Sequence, residues 1–164
     1  MILNPNKTKA LEVSRYTTVN PPRGDFVFSE VSIYASPNLD ILGVKFDSRL
    51  TFEDHVLGSV SRVSQRIGIL RLGKRVYVDT SVLRRYFYAF VLPIIEYCSP
   101  VWGSAAECHL QLLERQVYSV ARLCPDQTFL SLGHRRHVTA LCVLYKVNLN
   151  SNHCLFSELP TASV

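Results

Sequence analysis

The stretch from Phe52 to Leu70 reads FEDHVLGSVSRVSQRIGIL, and its apolar residues recur at helical spacing. Steps of four, four, three, four and three separate Phe52, Val56, Val60, Val63, Ile67 and Leu70. Such steps place all six residues on one side of an α-helix. The pattern therefore predicts a long helix with one buried face. Thr51, with Asp54 three residues later, forms a capping-box-like start for it.

Three further helices are predicted towards the carboxyl end. The second runs from about Thr80 to Tyr97, and Pro93 should kink it because proline lacks a backbone N–H. The third begins at Ser104 and ends at Cys124, before a proline, and the fourth spans His134 to Val147. Their expected buried residues are Leu83, Phe87, Phe90, Val91 and Ile94 in the second helix, Leu110, Leu113, Val117 and Val120 in the third, and Val138, Leu141, Leu144 and Tyr145 in the fourth.

Before Thr51 the pattern changes to short β-rich runs. Residues 26–28 (FVF) and 31–34 (VSIY) indicate a hairpin, and residues 39–46 a further strand. Gly43 inside that strand is typical of a bulge or a close backbone approach. Because no helix separates the strands, the sheet should be antiparallel. The predicted fold is α+β, with a small antiparallel sheet in residues 1–50, a bundle of about four helices in residues 51–147 and a flexible tail in residues 148–164.

Composition excludes several classes of protein. Of the 164 residues, 48% are hydrophobic and 19% are charged, a balance that argues against intrinsic disorder. The net charge of +5 is mildly basic, but its distribution is uneven. Between Val60 and Arg85 there are seven cations and one acid, a local net charge of +6: Arg62, Arg66, Arg71, Lys74, Arg75, Arg84 and Arg85 against Asp79. Such a cluster indicates either a binding surface for a polyanion or a solvated helix face.

The five cysteines and the amino-terminal residues bear on location. The number is odd, and no pair has the spacing C-x-x-C. The first nineteen residues contain charges where a signal peptide would be apolar. We therefore expect an intracellular, cytoplasmic or nuclear protein that is not secreted, with reduced thiols. The longest apolar run, Phe87 to Ile95, is too short to span a bilayer, so no membrane partner is expected.

No self-contained catalytic motif is present. The sequence lacks an Asp-Asp pair, a glycine-rich phosphate loop, G-x-S-x-G and H-E-x-x-H. Asp40, Asp47 and Asp54 are more consistent with turn or capping roles than with a shared site. His134 and His137 have a spacing that suits a metal, but no third ligand is placed with them, so no metal is predicted. Arg135 and Arg136 between them oppose the helix dipole, which is tolerable at a solvated end and useful if an anion binds.

Aromatic residues follow the basic cluster directly. Phe87 and Phe90 are expected in the core because aromatics at helical spacing usually pack there. Tyr86 and Tyr88, next to Arg84 and Arg85, could pack in the core or stack on nucleobases. The sequence leaves these two alternatives open.

An ordered series of short motifs resembles the reverse transcriptases of non-LTR (LINE-type, jockey-like) retrotransposons, in the part from the end of the palm through the thumb and connecting helices. The matching segments cover nearly the whole chain, in the order and with the spacing of the family. They are Leu3 to Lys9 (LNPNKTK), Leu42 to Asp47 (LGVKFD), Leu50 to His55 (LTFEDH), Tyr88 to Tyr97 (YAFVLPIIEY), Val101 to Gly103 (VWG), and Leu113 to Gln116 (LERQ) with Arg122.

The resemblance assigns roles to particular residues. Lys7 matches the lysine of the fourth palm motif, which is thought to help protonate the pyrophosphate leaving group and position the nucleotide. Leu42, Gly43 and Val44 match the primer-grip hairpin, whose backbone lies against the 3′ end of the primer. The helices that follow resemble the thumb, which holds the template–primer duplex through its phosphates. That role suits Arg62, Arg66, Arg71, Lys74, Arg75, Arg84 and Arg85.

The family's catalytic carboxylates, which hold Mg²⁺, lie upstream of the lysine motif and are absent here. Without them two-metal phosphoryl transfer has no site, so the resemblance implies no cofactor and no activity for this chain alone. We expect a truncated reverse-transcriptase fragment whose partner is an RNA/DNA template–primer. The alternatives are a co-opted helical protein-interaction domain with no nucleic-acid role, or a non-functional relic. The oligomeric state is not predicted.

Overall fold

The computed structural model describes residues 8–14, 26–28, 31–125, 131–150 and 154–155. Within these residues two β-hairpins precede a group of helices, so the predicted α+β class is confirmed. The strands pair antiparallel, as expected, but they form two separate two-stranded sheets instead of one.

The first hairpin pairs β1 (Phe26–Phe28) with β2 (Val31–Ile33), and Phe26 lies opposite Ile33. Its two strands contact mainly each other. Ala10 adds an isolated parallel bridge to Ala35. This hairpin therefore lies at the margin of the described fold.

The second hairpin pairs β3 (Asn38–Ile41) with β4 (Val44–Asp47). The single strand expected over residues 39–46 is wrong, because the chain reverses at Leu42 and Gly43. Both have positive φ, 50° and 83°, as the two central residues of a type I′ turn require. Glycine adopts this conformation without strain, whereas leucine does not. Gly43 thus marks a turn and not a bulge.

Helix α1 (Glu53–Arg75) carries the predicted buried face, with Val56, Val63, Ile67 and Leu70 in the core. The expected capping box at Thr51 does not form, since Phe52 precedes the helix in a left-handed conformation without a side-chain cap. Asp47 organises the approach instead. Its carboxylate accepts hydrogen bonds from the backbone N–H groups of Arg49, Thr51 and Phe52 at 2.9, 3.0 and 2.7 Å, and from the Thr51 hydroxyl.

These hydrogen bonds make Asp47 a pH-dependent contributor to stability. Partial burial alone would raise the pKa of the carboxyl, but the hydrogen bonds from Thr51, Phe52 and Arg49 outweigh it and hold the pKa below its ordinary 3.8. A carboxyl whose pKa falls on folding stabilises the fold above the unfolded-state pKa and loses that effect as pH falls through the folded-state pKa. Asp47 therefore stabilises the protein at neutral pH and ceases to do so in acid.

We expect Asp47→Asn to lower the free energy of unfolding by roughly 1–2 kcal/mol at pH 7, as for a lost charged cap. Urea unfolding at pH 7 and at pH 3 measures the loss. The difference in free energy between wild type and variant should be smaller at pH 3, which lies below the unfolded-state pKa, because the contribution of the carboxylate declines as the pH falls towards the folded-state pKa. Asp40→Asn, at an exposed strand position, is the control. An equal loss at both pH values would show that the carboxylate charge is irrelevant.

The second predicted helix is interrupted by a π-helical turn. It consists of α2 (Thr80–Tyr86), a π segment over Phe87–Val91 and α3 (Leu92–Glu96). The Leu92 N–H bonds to the Phe87 carbonyl, five residues back. Pro93 lacks an N–H and its ring would crowd the preceding turn of a regular helix, and the wider π turn lies directly before it.

The π turn shifts the buried face by one residue. Leu83, Phe87 and Val91 are buried as expected, and Leu92 and Ile95 continue the face. The expected burial of Phe90 is wrong, since its side chain is 54% exposed, and Ile94 is only partly buried. Beyond Val91 the buried positions therefore fall one residue later than the pattern predicts, at Ile95 instead of Ile94.

The third predicted helix is α5 (Glu107–Leu123), which buries Leu110, Leu113, Val117 and Val120 as expected and ends before Cys124 and Pro125. Its predicted start at Ser104 is wrong. An additional short helix, α4 (Ser99–Trp102), precedes it, and the residue flanking α5 is Ala106. The turn that follows α4 therefore occupies the residues expected to begin the helix.

Helix α6 (Leu132–Leu149) begins with Ser131, whose hydroxyl accepts from the His134 N–H. The expected burial of its apolar stripe is wrong. Four side chains of the stripe are 44–63% exposed: Val138, Leu141, Leu144 and Tyr145. Leu132 and Val147 are buried instead. Periodicity identifies the apolar side of a helix, but it does not supply an element to cover that side, and the described part of the chain contains none that does.

The core lies between α1, the α2–α3 unit, α4 and α5. Its largest fully buried side chains are Trp102, Phe87, Ile67, Leu70, Ile95, Leu113 and Leu132. Val44 of β4 belongs to this core, with Phe46 packed against it. The second hairpin is therefore attached to the helices, across the boundary at residue 50 that the sequence indicates.

We expect deletion of residues 1–35 to leave the helical circular dichroism signal largely intact, because no described residue before Val44 belongs to the helical core. In the full chain, hydrogen exchange should show β1 and β2 opening at a lower free energy than residues 52–122. Collapse of the helical signal on deletion would mean that the amino-terminal segment nucleates the fold.

Candidate nucleic-acid interface

The residues matched to the primer grip lie at the tip of the second hairpin. Leu42 and Gly43 form the turn, and Val44 is 2% exposed beneath it in the core. The Tyr97 hydroxyl donates to the Leu42 carbonyl oxygen at 2.6 Å, which ties the turn to the residue after α3. Lys7, the other residue matched to a palm motif, lies outside the described residues.

His55, Ser59, Arg62 and Arg66 recur at steps of four, three and four along α1, and the structure divides this stripe into two halves. His55 and Ser59 are buried, at 4% and 1% exposure, so they are not part of a solvated surface. Arg62 and Arg66 are exposed and lie about 40° apart around α1. The Arg62 guanidinium donates to Ser59 Oγ at 3.1 Å. The buried half of the stripe thus orients a cation of the exposed half.

The cations near the end of α1 are all exposed, but they do not continue this stripe. At about 100° per residue, Arg71 lies on the opposite flank of the buried face from Arg62, and Arg75 lies beyond Arg71. Lys74 lies between the flanks in the last turn of the helix. The structure therefore brings Arg62 and Arg66 together, and separately gathers Arg71, Lys74 and Arg75 at the end of the helix.

The remaining predicted cations, Arg84 and Arg85, are exposed on α2. The Arg84 guanidinium lies 5.5 Å from the ring centre of Tyr88, within the range of a cation–π contact. Tyr86 is half-buried, and its ring packs 4.9 Å from that of Phe90. The sequence allows either core packing or stacking on nucleobases for these two tyrosines. The position of Tyr88 suits stacking, whereas the position of Tyr86 suits packing in the core.

The seven cations have no carboxylate within 4 Å among the described residues. The ion pairs in that part of the chain join Arg135 to Glu96 and, through a histidine, His109 to Glu53. A cation without an acid partner keeps its charge available for an external anion. The uneven distribution of charge in the sequence is therefore preserved on the folded surface.

The acidic and histidine residues do not assemble a metal site in the described ranges, where no group of three potential ligands occurs. The Asp47 carboxylate is occupied by hydrogen bonds at the start of α1, in the turn or capping role that the sequence indicates. No metal step is therefore derived for these residues.

The cluster from His134 to His137 is anchored by two acids. Arg135 forms a hydrogen-bonded ion pair with Glu96, which raises the pKa of the guanidinium. Glu114 accepts from the Gly133 N–H at 2.8 Å, which places a carboxylate against the positive end of α6. These intramolecular acids compensate for Arg135 and for the helix N-terminus, whereas Nη1 of Arg136 is buried without a hydrogen-bond partner in the described structure.

Sequence reasoning misses two residues of this region, His55 as a buried group and Tyr97 as the anchor of the turn. His55 Nδ1 accepts from the Lys45 N–H at 3.4 Å, and its ring centre lies 5.7 Å from that of Trp102. Burial, then Arg62 and Lys45, lower the pKa of His55, while Asp40 opposes them. His55 lies in the LTFEDH motif and Tyr97 in the YAFVLPIIEY motif. Their partners, Lys45 and Leu42, are ten and 55 residues away in the sequence, so no local pattern indicates these contacts.

Comparison with protein-family models, with curated proteins and with solved structures found no match to this chain. In the ranges that the structure describes, no helix combines the length and the apolar character needed to cross a membrane.

Proposed function

We propose that this chain holds a nucleic-acid duplex through its phosphates, as the template–primer-holding region of a non-LTR reverse transcriptase does. The duplex lies along the exposed cations of α1 and α2, with the hairpin tip at Leu42 and Gly43 facing the end of one strand. The chain acts as a binding module and not as a polymerase.

The observation that carries this proposal is the set of seven exposed cations without a carboxylate partner in the described structure. Surface charge that serves only solubility is usually mixed in sign. Here six positive charges in excess lie within 26 residues, and in the described structure none of the seven cations lies within 4 Å of a carboxylate, although Arg85 interacts at longer range with Asp79. Phosphate contacts of this kind give affinity and position without reading the base sequence.

The acids of the described residues fit a binding role for this part of the chain, because no group of three potential metal ligands occurs among them. Phosphoryl transfer by two metals requires acids that hold both ions. Asp47, an acid next to the hairpin, is engaged in stabilising the start of α1. No residue of this chain is therefore assigned a catalytic role.

The stripe on α1 provides the first test. We expect Arg62→Ala with Arg66→Ala to weaken binding of an RNA/DNA duplex at low salt, and to reduce the slope of log K against log salt by about two phosphate contacts. Fluorescence anisotropy of a labelled duplex measures both quantities.

The matched control is Arg115→Ala with Arg122→Ala, which removes the same charge from exposed positions on α5. Equal effects of the two pairs would mean that total charge alone drives binding. Unchanged binding in both variants would leave Arg62 and Arg66 as a solvated helix face.

A second candidate function is protein interaction through α6. The exposed side chains Val138, Leu141, Leu144 and Tyr145 form an apolar stripe of the kind that lies in a groove of a partner. Interaction through such a face would resist salt, whereas phosphate binding would weaken steeply with it. The salt dependence of binding therefore separates the two candidates.

A further inference from the structure

A pocket of about 370 Å³, open to solvent, lies between the tip of the second hairpin, α1 and the end of α3. Its lining residues come from three parts of the chain: Leu42, Gly43, His55, Arg62, Pro93, Ile94 and Tyr97. None of them carries a negative charge at neutral pH, and one carries a fixed positive charge. The pocket is therefore suited to an anion bearing an apolar group.

The buried histidine supplies a donor to this pocket. Nδ1 of His55 accepts from the backbone of Lys45, so the neutral ring carries its proton on Nε2. Nε2 has no hydrogen-bond partner among the described residues, although the side chain is 96% buried. Since Nδ1 is occupied, the Nε2–H is the polar group that the ring has left to offer a ligand.

Arg62 supplies the positive charge, and its position is restrained. One terminal nitrogen of the guanidinium donates to Ser59 Oγ, and Ser59 is itself 1% exposed. A guanidinium has five N–H donors in a planar fork, so most of them stay available to a phosphate oxygen. A preorganised arginine loses less side-chain entropy on binding than a mobile one.

The hairpin tip completes the mouth of the pocket. Leu42 adopts a left-handed conformation that is unfavourable for leucine, and its side chain is 84% exposed. Tyr97 holds this turn by donating to the Leu42 carbonyl.

We propose that this pocket binds one phosphate group of a bound nucleic acid, with Arg62 and His55 Nε2–H on its oxygens. We infer this on the basis of the proposed duplex-binding function, which it deepens by naming an anion site on the side of α1 facing the hairpin. The charged groups facing the ring are Lys45 and Asp40 on the hairpin and Arg62 on α1.

The experiment follows His55 by NMR in the full-length chain, with an RNA/DNA duplex and with inorganic phosphate as separate ligands. A bound phosphate stabilises the charged imidazolium, so we expect each ligand to raise the midpoint of His55 titration by roughly half a pH unit or more. Arg62→Gln should abolish this rise, so that the midpoint of the His55 titration in the variant is the same with and without ligand. Arg115→Gln, at an exposed position on α5, should leave it unchanged.

The outcomes distinguish this site from the wider interface. Duplex binding, detected by anisotropy, without a shift at His55 would overturn the pocket and leave the proposed function intact. If the duplex does not bind at all, the titration of His55 with inorganic phosphate tests the pocket by itself. A rise that Arg62→Gln removes would then support a phosphate site independent of the duplex, and no rise would overturn it.

Discussion

Replacement of Trp102 by alanine is expected to lower the free energy of unfolding by about 3–5 kcal/mol, as for other buried aromatic residues. The Trp102 side chain is 1% exposed in the centre of the core, and its Nε1–H donates to the Tyr97 carbonyl at 2.7 Å. Truncation leaves a large cavity and removes this hydrogen bond. Since domains are stable by only about 5–15 kcal/mol, the variant should be close to unfolding.

Urea unfolding followed by far-ultraviolet circular dichroism measures this effect, because Trp102 is the single tryptophan and fluorescence is lost with it. Tyr118→Ala is the control, since this aromatic on α5 is 63% exposed and should change stability by no more than about 0.5 kcal/mol. A loss below 1 kcal/mol for Trp102→Ala would contradict the packing described for α4.

The largest effect on binding is expected from the cations at the end of α1. Changing Arg71, Lys74 and Arg75 to glutamine removes three exposed charges while keeping residues that favour a helix. If each contacts a phosphate, duplex affinity at 50 mM salt should fall by roughly a hundredfold or more, and the salt slope should decrease by about three contacts.

The control for this variant removes three charges elsewhere. Arg115, Arg122 and Lys146 are exposed on α5 and α6, and their change to glutamine lowers the net charge by the same amount. We expect only a small loss of affinity from it. A comparable loss in both variants would indicate diffuse attraction to a basic protein instead of a defined interface.

The parts of the fold that sequence predicts well are those in which one local pattern has one structural solution. The steps of three and four along α1 and α5 predict their buried faces, because both helices pack against neighbours along most of their length. Pro93 predicts a disturbance but not its form, and after the π turn Leu92 and Ile95 are buried where Phe90 and Ile94 were expected. Leu141 illustrates the opposite case, since its stripe is helical and apolar yet exposed.

The candidate site was predictable only in part. Charge counting finds the basic surface, because exposed cations need no partner in the chain. It does not find that His55 is buried below Arg62, because this burial depends on how the second hairpin packs on α1. The residue pattern predicts a strand through Leu42 and only the family resemblance implies a hairpin there, because leucine is disfavoured in this turn and Tyr97, 55 residues away, holds it.

The most direct test of the central claim is the salt dependence of duplex binding by the unmodified chain. Log K for a labelled RNA/DNA duplex, measured against log salt from 50 to 300 mM, should fall linearly with a slope of about −3 to −6, as expected for four to seven phosphate contacts. That result would support the exposed cations of α1 and α2 as a phosphate-binding surface. A slope near zero, or no binding at 50 mM salt, would contradict it.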